Sequence, residues 1–180
     1  MNSKSLLTRL ALIGVACLLS GRSFADVTQS YEDGFVITIV RTTTLSPDKA
    51  YSRFVDDFAS WYDASHSYTE DAKNLSLDLE KQCMLEKLPG GGFVRHMEIA
   101  IHQPGVMLRL TGGLGPLQRR GVSGALTVNF RKVDEKTEVA MSYYVCGAKF
   151  LQLPMIAEPV DQVLTGQMDR FKTFCESSPE

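Results

Sequence analysis

Apolar residues alternate with polar ones, or gather in β-branched runs, along most of the chain, and in two places their spacing lengthens to that of a helix. The run GFVITIVRTTT, Gly34 to Thr44, is rich in β-branched and aromatic residues and predicts a strand. Ser46-Pro47 follows, a capping hydroxyl and a proline suited to the first helical position. Ala50, Phe54, Val55 and Phe58 then recur at helical spacing up to the Trp61-Tyr62 pair. From Asn74 the pattern returns to short extended runs: NLSLDLE, QCMLEKL, FVRHMEIAIH, VMLRL, SGALTVNFRKV and TEVAMSYYV. Turn signals separate them, among them Pro89-Gly90-Gly91-Gly92, Gln103-Pro104-Gly105 and Asp134-Glu135-Lys136. Loops this short join antiparallel neighbours, so a meander is predicted. The last element is a long helix entered at Glu158-Pro159. It carries Val160, Val163, Leu164, Gln167, Met168, Phe171, Phe174 and Cys175 on one stripe, with Asp161, Asp169, Arg170 and Lys172 off it. The pattern as a whole predicts an α+β domain: a curved antiparallel sheet of seven strands, two short helices after the first strand, and a long C-terminal helix laid on the sheet.

The N-terminus changes the domain count and the compartment. Lys4 and Arg9 precede the apolar run LALIGVACLL, and Ser23-Phe24-Ala25 places small residues where a signal peptidase reads. The run is shorter than the roughly 20 apolar residues that span a bilayer. Residues 1–25 therefore read as a cleaved signal peptide and 26–180 as a single domain, exported to the periplasm and not held in the membrane once cleaved. A lipoprotein cleaved before Cys17 is the weaker alternative, because Gly14 stands where a large aliphatic residue is expected. Removing residues 1–25 takes away three of the 19 basic residues and none of the 21 acidic ones, which moves the net charge from −2 to −5. An acidic surface of this kind argues against nucleic acid as a partner. A domain of this length buries about two-thirds of its surface and needs no metal or disulfide to fold. Cys83, Cys146 and Cys175 show no CxxC or zinc-ribbon spacing and read as buried small hydrophobes.

Candidate chemistry is sparse. The segment FASWYDASHSYTEDAKNLSLDL, 58–79, gathers aromatic residues, of which Trp61 continues the helical spacing of Phe54 and Phe58 and reads as packing. His66 and Tyr68 are two residues apart on extended chain and share a face, either of them able to put a polar tip into a cavity, although a capping or surface role suits His66 equally. In the hairpin around Pro89–Gly92, if Lys87 and Phe93 close the loop, Glu86 faces Val94 and Met84 faces His96. Glu86 and His96 are then diagonal neighbours on one face, and a carboxylate that orients a histidine is an acid/base element. Alternation leaves the inward face open, since Phe93, Met97, Ile99 and Ile101 on the other side look as core-like. The stretch GGLGPLQRRG resembles a phosphate loop, but a strand rather than a helix follows it, so Arg119 and Arg120 read as solvated. His66, His96 and His102 have no metal-ligand spacing, and neither a metal nor a cofactor is expected.

Several motifs carry a resemblance: Trp61-Tyr62-Asp63-x-x-His66-x-Tyr68, NLSLDL, LPGGGFVRHM, GGLGPLQ, the strand end Tyr144-x-Cys146-Gly147 and the closing PVDQVLTGQMDRFKTF. Together they resemble the SRPBCC superfamily, and within it the exported proteins grouped with polyketide cyclases, dehydratases and START-like lipid-transport domains. The resemblance implies a helix-grip fold with an apolar cavity between sheet and last helix, and no assigned reaction. It makes His66, Tyr68, Glu86, His96, Tyr143, Val163, Gln167, Met168 and Phe171 the candidate ligand-binding residues, with Glu86 and His96 the candidate catalytic pair. The favoured reading is a periplasmic protein that binds a small apolar or amphipathic molecule. The alternatives are a cyclase, dehydratase or isomerase using Glu86 and His96, and a non-catalytic structural module.

Overall fold

The computed structural model describes residues 26–177, so the expected signal peptide lies outside the described residues. Strands β1 (Asp26–Tyr31) and β2 (Gly34–Thr43) form a hairpin, followed by α1 (Pro47–Asp56) and the short α2 (Phe58–Trp61). The meander comprises β3 (Leu75–Asp78), β4 (Cys83–Lys87), β5 (Phe93–Gln103), β6 (Met107–Thr111), β7 (Ser123–Val133) and β8 (Lys136–Cys146), and α3 (Ala157–Ser177) closes the chain. All eight strands join one antiparallel sheet in the order β1-β2-β8-β7-β6-β5-β4-β3. The fold is α+β helix-grip, with eight strands rather than seven. The added strand, β1, is a short edge strand directly after the expected cleavage point, and its residues lack the β-branched run that marks β2.

Local chemistry explains the element boundaries. Ser46 caps α1 by accepting the Lys49 N–H at 3.3 Å, with Pro47 in the first turn. Gly34 opens β2 where a Cβ would lie 2.2 Å from the Val145 carbonyl oxygen, so only glycine lets β2 and β8 approach there. Strand β5 carries two irregularities of register, against β4 between Met84 and Leu85 and against β6 between Ile99 and Ile101, which bend the sheet.

The core lies between the sheet and the helices. Phe54, Trp61 and Phe171 form a triangle with ring centroids 4.7, 5.0 and 5.2 Å apart, and the Trp61 indole donates to the Phe54 carbonyl at 3.2 Å. Trp61 is thus a packing residue. On α3 the buried positions are Ala157, Asp161, Leu164, Gln167, Met168, Phe171 and Cys175. This corrects the expected stripe: Asp161 lies on it, while Val160, Val163 and Phe174 sit half-buried at its margin. The C-terminal half of α3 packs into the core, and its first turns face a cavity.

Candidate functional site

The cavity has a volume of about 460 Å³. Leu75 of β3 and Met84 of β4 form its floor, and Val160, Val163 and Leu164 of α3 form one wall with Ile156 just before the helix. The opposite wall is the connection between β6 and β7, which contributes Leu114, Pro116 and Leu117. Polar groups enter at few points: Tyr62, His66 and Ser67 from the segment after α2, His96 from β5, and Arg119 and Arg120 from the β6–β7 connection.

His96 reaches this wall because of a bulge. Lys87 pairs with Phe93 and Glu86 with Val94, but Leu85 pairs with Arg95 and Met84 with Met97, so His96 is the extra residue. The expected pairing of Met84 with His96 is therefore replaced. The bulge lets two consecutive residues, His96 and Met97, both turn inward, and Phe93 is 63% exposed. Neither parity of a regular strand describes β5.

Behind His96 lies Glu86, fully buried. Its Oε2 lies 2.8 Å from His96 Nε2 and accepts the Tyr68 N–H at 3.1 Å. Oε1 accepts the Thr69 N–H at 2.6 Å and the Thr69 hydroxyl at 2.7 Å. Burial pushes the Glu86 carboxyl up, but these donors outweigh it and hold the group at about 2. An ionised carboxylate only accepts, so Nε2 of His96 must donate to it. This leaves Nδ1 as the ring's second polar atom, the one not turned to Glu86. Tyr62 stands nearby with its phenol pushed up to about 12 by burial and by the charges of Asp63 and Glu86.

The structure distributes the other expected residues unevenly. His66 and Val163 line the cavity with His96. Tyr68 is 62% exposed and reaches the site through its backbone and a ring 6.0 Å from that of His96. Tyr143, Gln167, Met168 and Phe171 lie outside the cavity wall. Met168 and Phe171 are core. Gln167 ties α3 to the segment after α2, its amide oxygen accepting the Asp63 N–H at 2.8 Å and its amide nitrogen donating to the Asp63 carbonyl at 2.9 Å. The Tyr143 hydroxyl accepts the Leu114 N–H at 3.0 Å and donates to Gly112 O at 3.3 Å, which fastens the β6–β7 connection.

Sequence reasoning missed that connection as a wall. Its signal was Leu114, Pro116 and Leu117, apolar residues too closely set for a solvated loop. Among the described residues no group of three or more His, Cys, Asp or Glu side chains is placed to hold a metal, and no helix is long and apolar enough to cross a membrane.

No family model matches the chain, and no curated protein matches it significantly. Solved structures do. A Mesorhizobium loti protein superposes with a TM-score of 0.57 at 9% identity, covering 81% of this chain and 99% of its own. Ara h 8.0201 gives 0.55 at 13% identity, with 79% and 98% covered. An HSP90 activator from Plasmodium falciparum gives 0.54 at 12% identity, with 78% and 96% covered. At such identities the likeness establishes the fold alone.

Proposed function

We propose that this chain is an exported SRPBCC-type protein which, once residues 1–25 are removed, binds a small apolar or amphipathic molecule in the periplasm. The observation that carries the reading is the cavity of about 460 Å³, walled by aliphatic side chains from sheet, connection and helix. It falls within the roughly 300–1,000 Å³ of small-molecule sites, and its few converging polar groups suit recognition of one orientation. The test is native mass spectrometry of protein recovered gently from its host. A noncovalent 1:1 adduct is expected in the wild type and should be lost in Val163→Trp, where the indole fills the cavity. An adduct that persists unchanged in the filled variant places the ligand elsewhere.

A second reading, an enzyme of cyclase, dehydratase or isomerase type, is favoured by one observation: the carboxylate-backed His96 turns toward an apolar cavity. Such an imidazole is suited to take a proton from a weakly acidic C–H, with Glu86 stabilising the imidazolium that forms. Its test is deuterium uptake at the α-carbon of a long-chain β-keto ester in D₂O. Saturable exchange that vanishes in His96→Asn favours the enzyme, and exchange at the same rate in both proteins leaves binding alone.

A further inference from the structure

The polar part of the cavity wall has one sign. Its charged side chains are two arginines, and no aspartate or glutamate lines it. Glu86, a buried carboxylate, stands behind His96 and is occupied by four donors. The chain as a whole carries a net charge of −2, so the cavity runs against the balance of the molecule.

Arg119 and Arg120 differ from the other arginines. Arg41, Arg53, Arg95 and Arg131 each reach a carboxylate, and Arg109 and Arg170 donate to the Thr127 hydroxyl and the Trp61 carbonyl, whereas among the described residues no side-chain hydrogen bond or ion pair involves Arg119 or Arg120. Nor do they sit on a loose tip. The turn Gly115–Arg120 is held by buried Leu117, by the Gln118 amide donating to the Arg95 carbonyl of β5, and by the Tyr143 hydroxyl on Leu114. Gly121 ends the turn with φ 65°, in the left-handed region that glycine adopts without strain. Behind it, a Cβ on Gly124 would lie 2.3 Å from the Gly112 carbonyl oxygen, so the base of the connection is closed by glycine as well.

From this we infer that the cavity is selective for an anionic amphiphile, its chain lying among Leu75, Met84, Val160 and Val163 and its acidic head against Arg119 and Arg120. Guanidinium groups without a protein partner offer paired donors to a carboxylate, sulfate or phosphate. A chain end enclosed by aliphatic residues and a head at the rim, where Arg119 and Arg120 are exposed, satisfy both halves of such a molecule. The inference rests on the binding role proposed above and adds the class of ligand.

The test is displacement of Nile red, a neutral apolar dye, from the purified chain by three probes of equal length: dodecanoate, dodecanol and dodecyltrimethylammonium, each below its micelle concentration. Dodecanoate should bind at least about tenfold more tightly than dodecanol, and the ammonium most weakly. In Arg119→Gln/Arg120→Gln, dodecanoate should fall to within about twofold of dodecanol, while Nile red and dodecanol hold their affinities. Raising the salt should narrow the wild-type gap, because exposed charges are screened. Equal binding of acid and alcohol, preference for the ammonium, or an unchanged acid affinity in the double variant would overturn the anion selectivity and leave the cavity reading standing. If neither Nile red nor any probe binds, the binding role fails together with it.

Discussion

The Nε2 atom of His96 stands 2.8 Å from Oε2 of Glu86, and the two residues are 4% and 0% exposed. The pair joins the bulge of β5 to the loop at Tyr68 and Thr69, so the carboxylate holds a loop and orients a ring at once. Its charge is what makes both possible.

The first prediction follows from that charge. In the fold the Glu86 carboxyl lies near 2 instead of its ordinary 4.5, so its contribution to stability is complete above about 4.5 and is lost as the pH falls toward 2. Urea midpoints should therefore drop across this window. Glu86→Gln turns an amide N–H₂ toward donors that need an acceptor and should cost about 2–4 kcal/mol at pH 7. The variant should lose part of the wild type's slope between pH 4.5 and 2. Parallel acid profiles in the two proteins would show that Glu86 is not the group responsible.

Phe171 tests the grip of the C-terminal helix. Its ring is buried against Phe54 and Trp61, so Phe171→Ala should cost about 3–5 kcal/mol in a urea titration. Lys172 pairs with Glu176 at the surface, one turn on, and Lys172→Ala should cost at most about 0.5 kcal/mol. Similar losses at both positions would contradict the assignment of the helical face.

How much of this was legible in the sequence depends on the kind of signal. The hairpin at Pro89–Gly92 was legible to the residue, because two glycines there have positive φ and the flanking runs leave Lys87 opposite Phe93. The bulge at His96 was not: one added residue leaves no trace in composition, yet it reverses the facing of every position beyond it. On α3 the period was legible and its phase only in part, since Asp161 is polar by type and buried by place. The bonds of Gln167 and Tyr143 to loop backbone were out of reach, because they join residues 104 and 29 positions apart.

The cysteines separate by exposure. Cys83 and Cys175 are buried and Cys146 is exposed, against the expectation that all three were buried; none is in a disulfide. Burial pushes the Cys175 thiol up to about 11, which removes its reactive thiolate near neutral pH. Under native conditions at pH 8, one thiol per chain should react quickly with a maleimide, and peptide mapping should find it at Cys146. Rapid labelling of Cys175, or a peptide linking 146 to 175, would mean that α3 is misplaced.

The binding role requires an apolar molecule to lie between sheet and helix, and a methyl-resolved NMR titration with Nile red tests this most directly. Shifts and intermolecular contacts should concentrate on Leu75, Met84, Leu117, Val160, Val163 and Leu164, which line the cavity. Methyls at exposed apolar positions, Val40, Leu79, Val106 and Met155, should stay still. The opposite pattern, with the cavity methyls silent and Met155 or Val106 responding, would contradict the binding role.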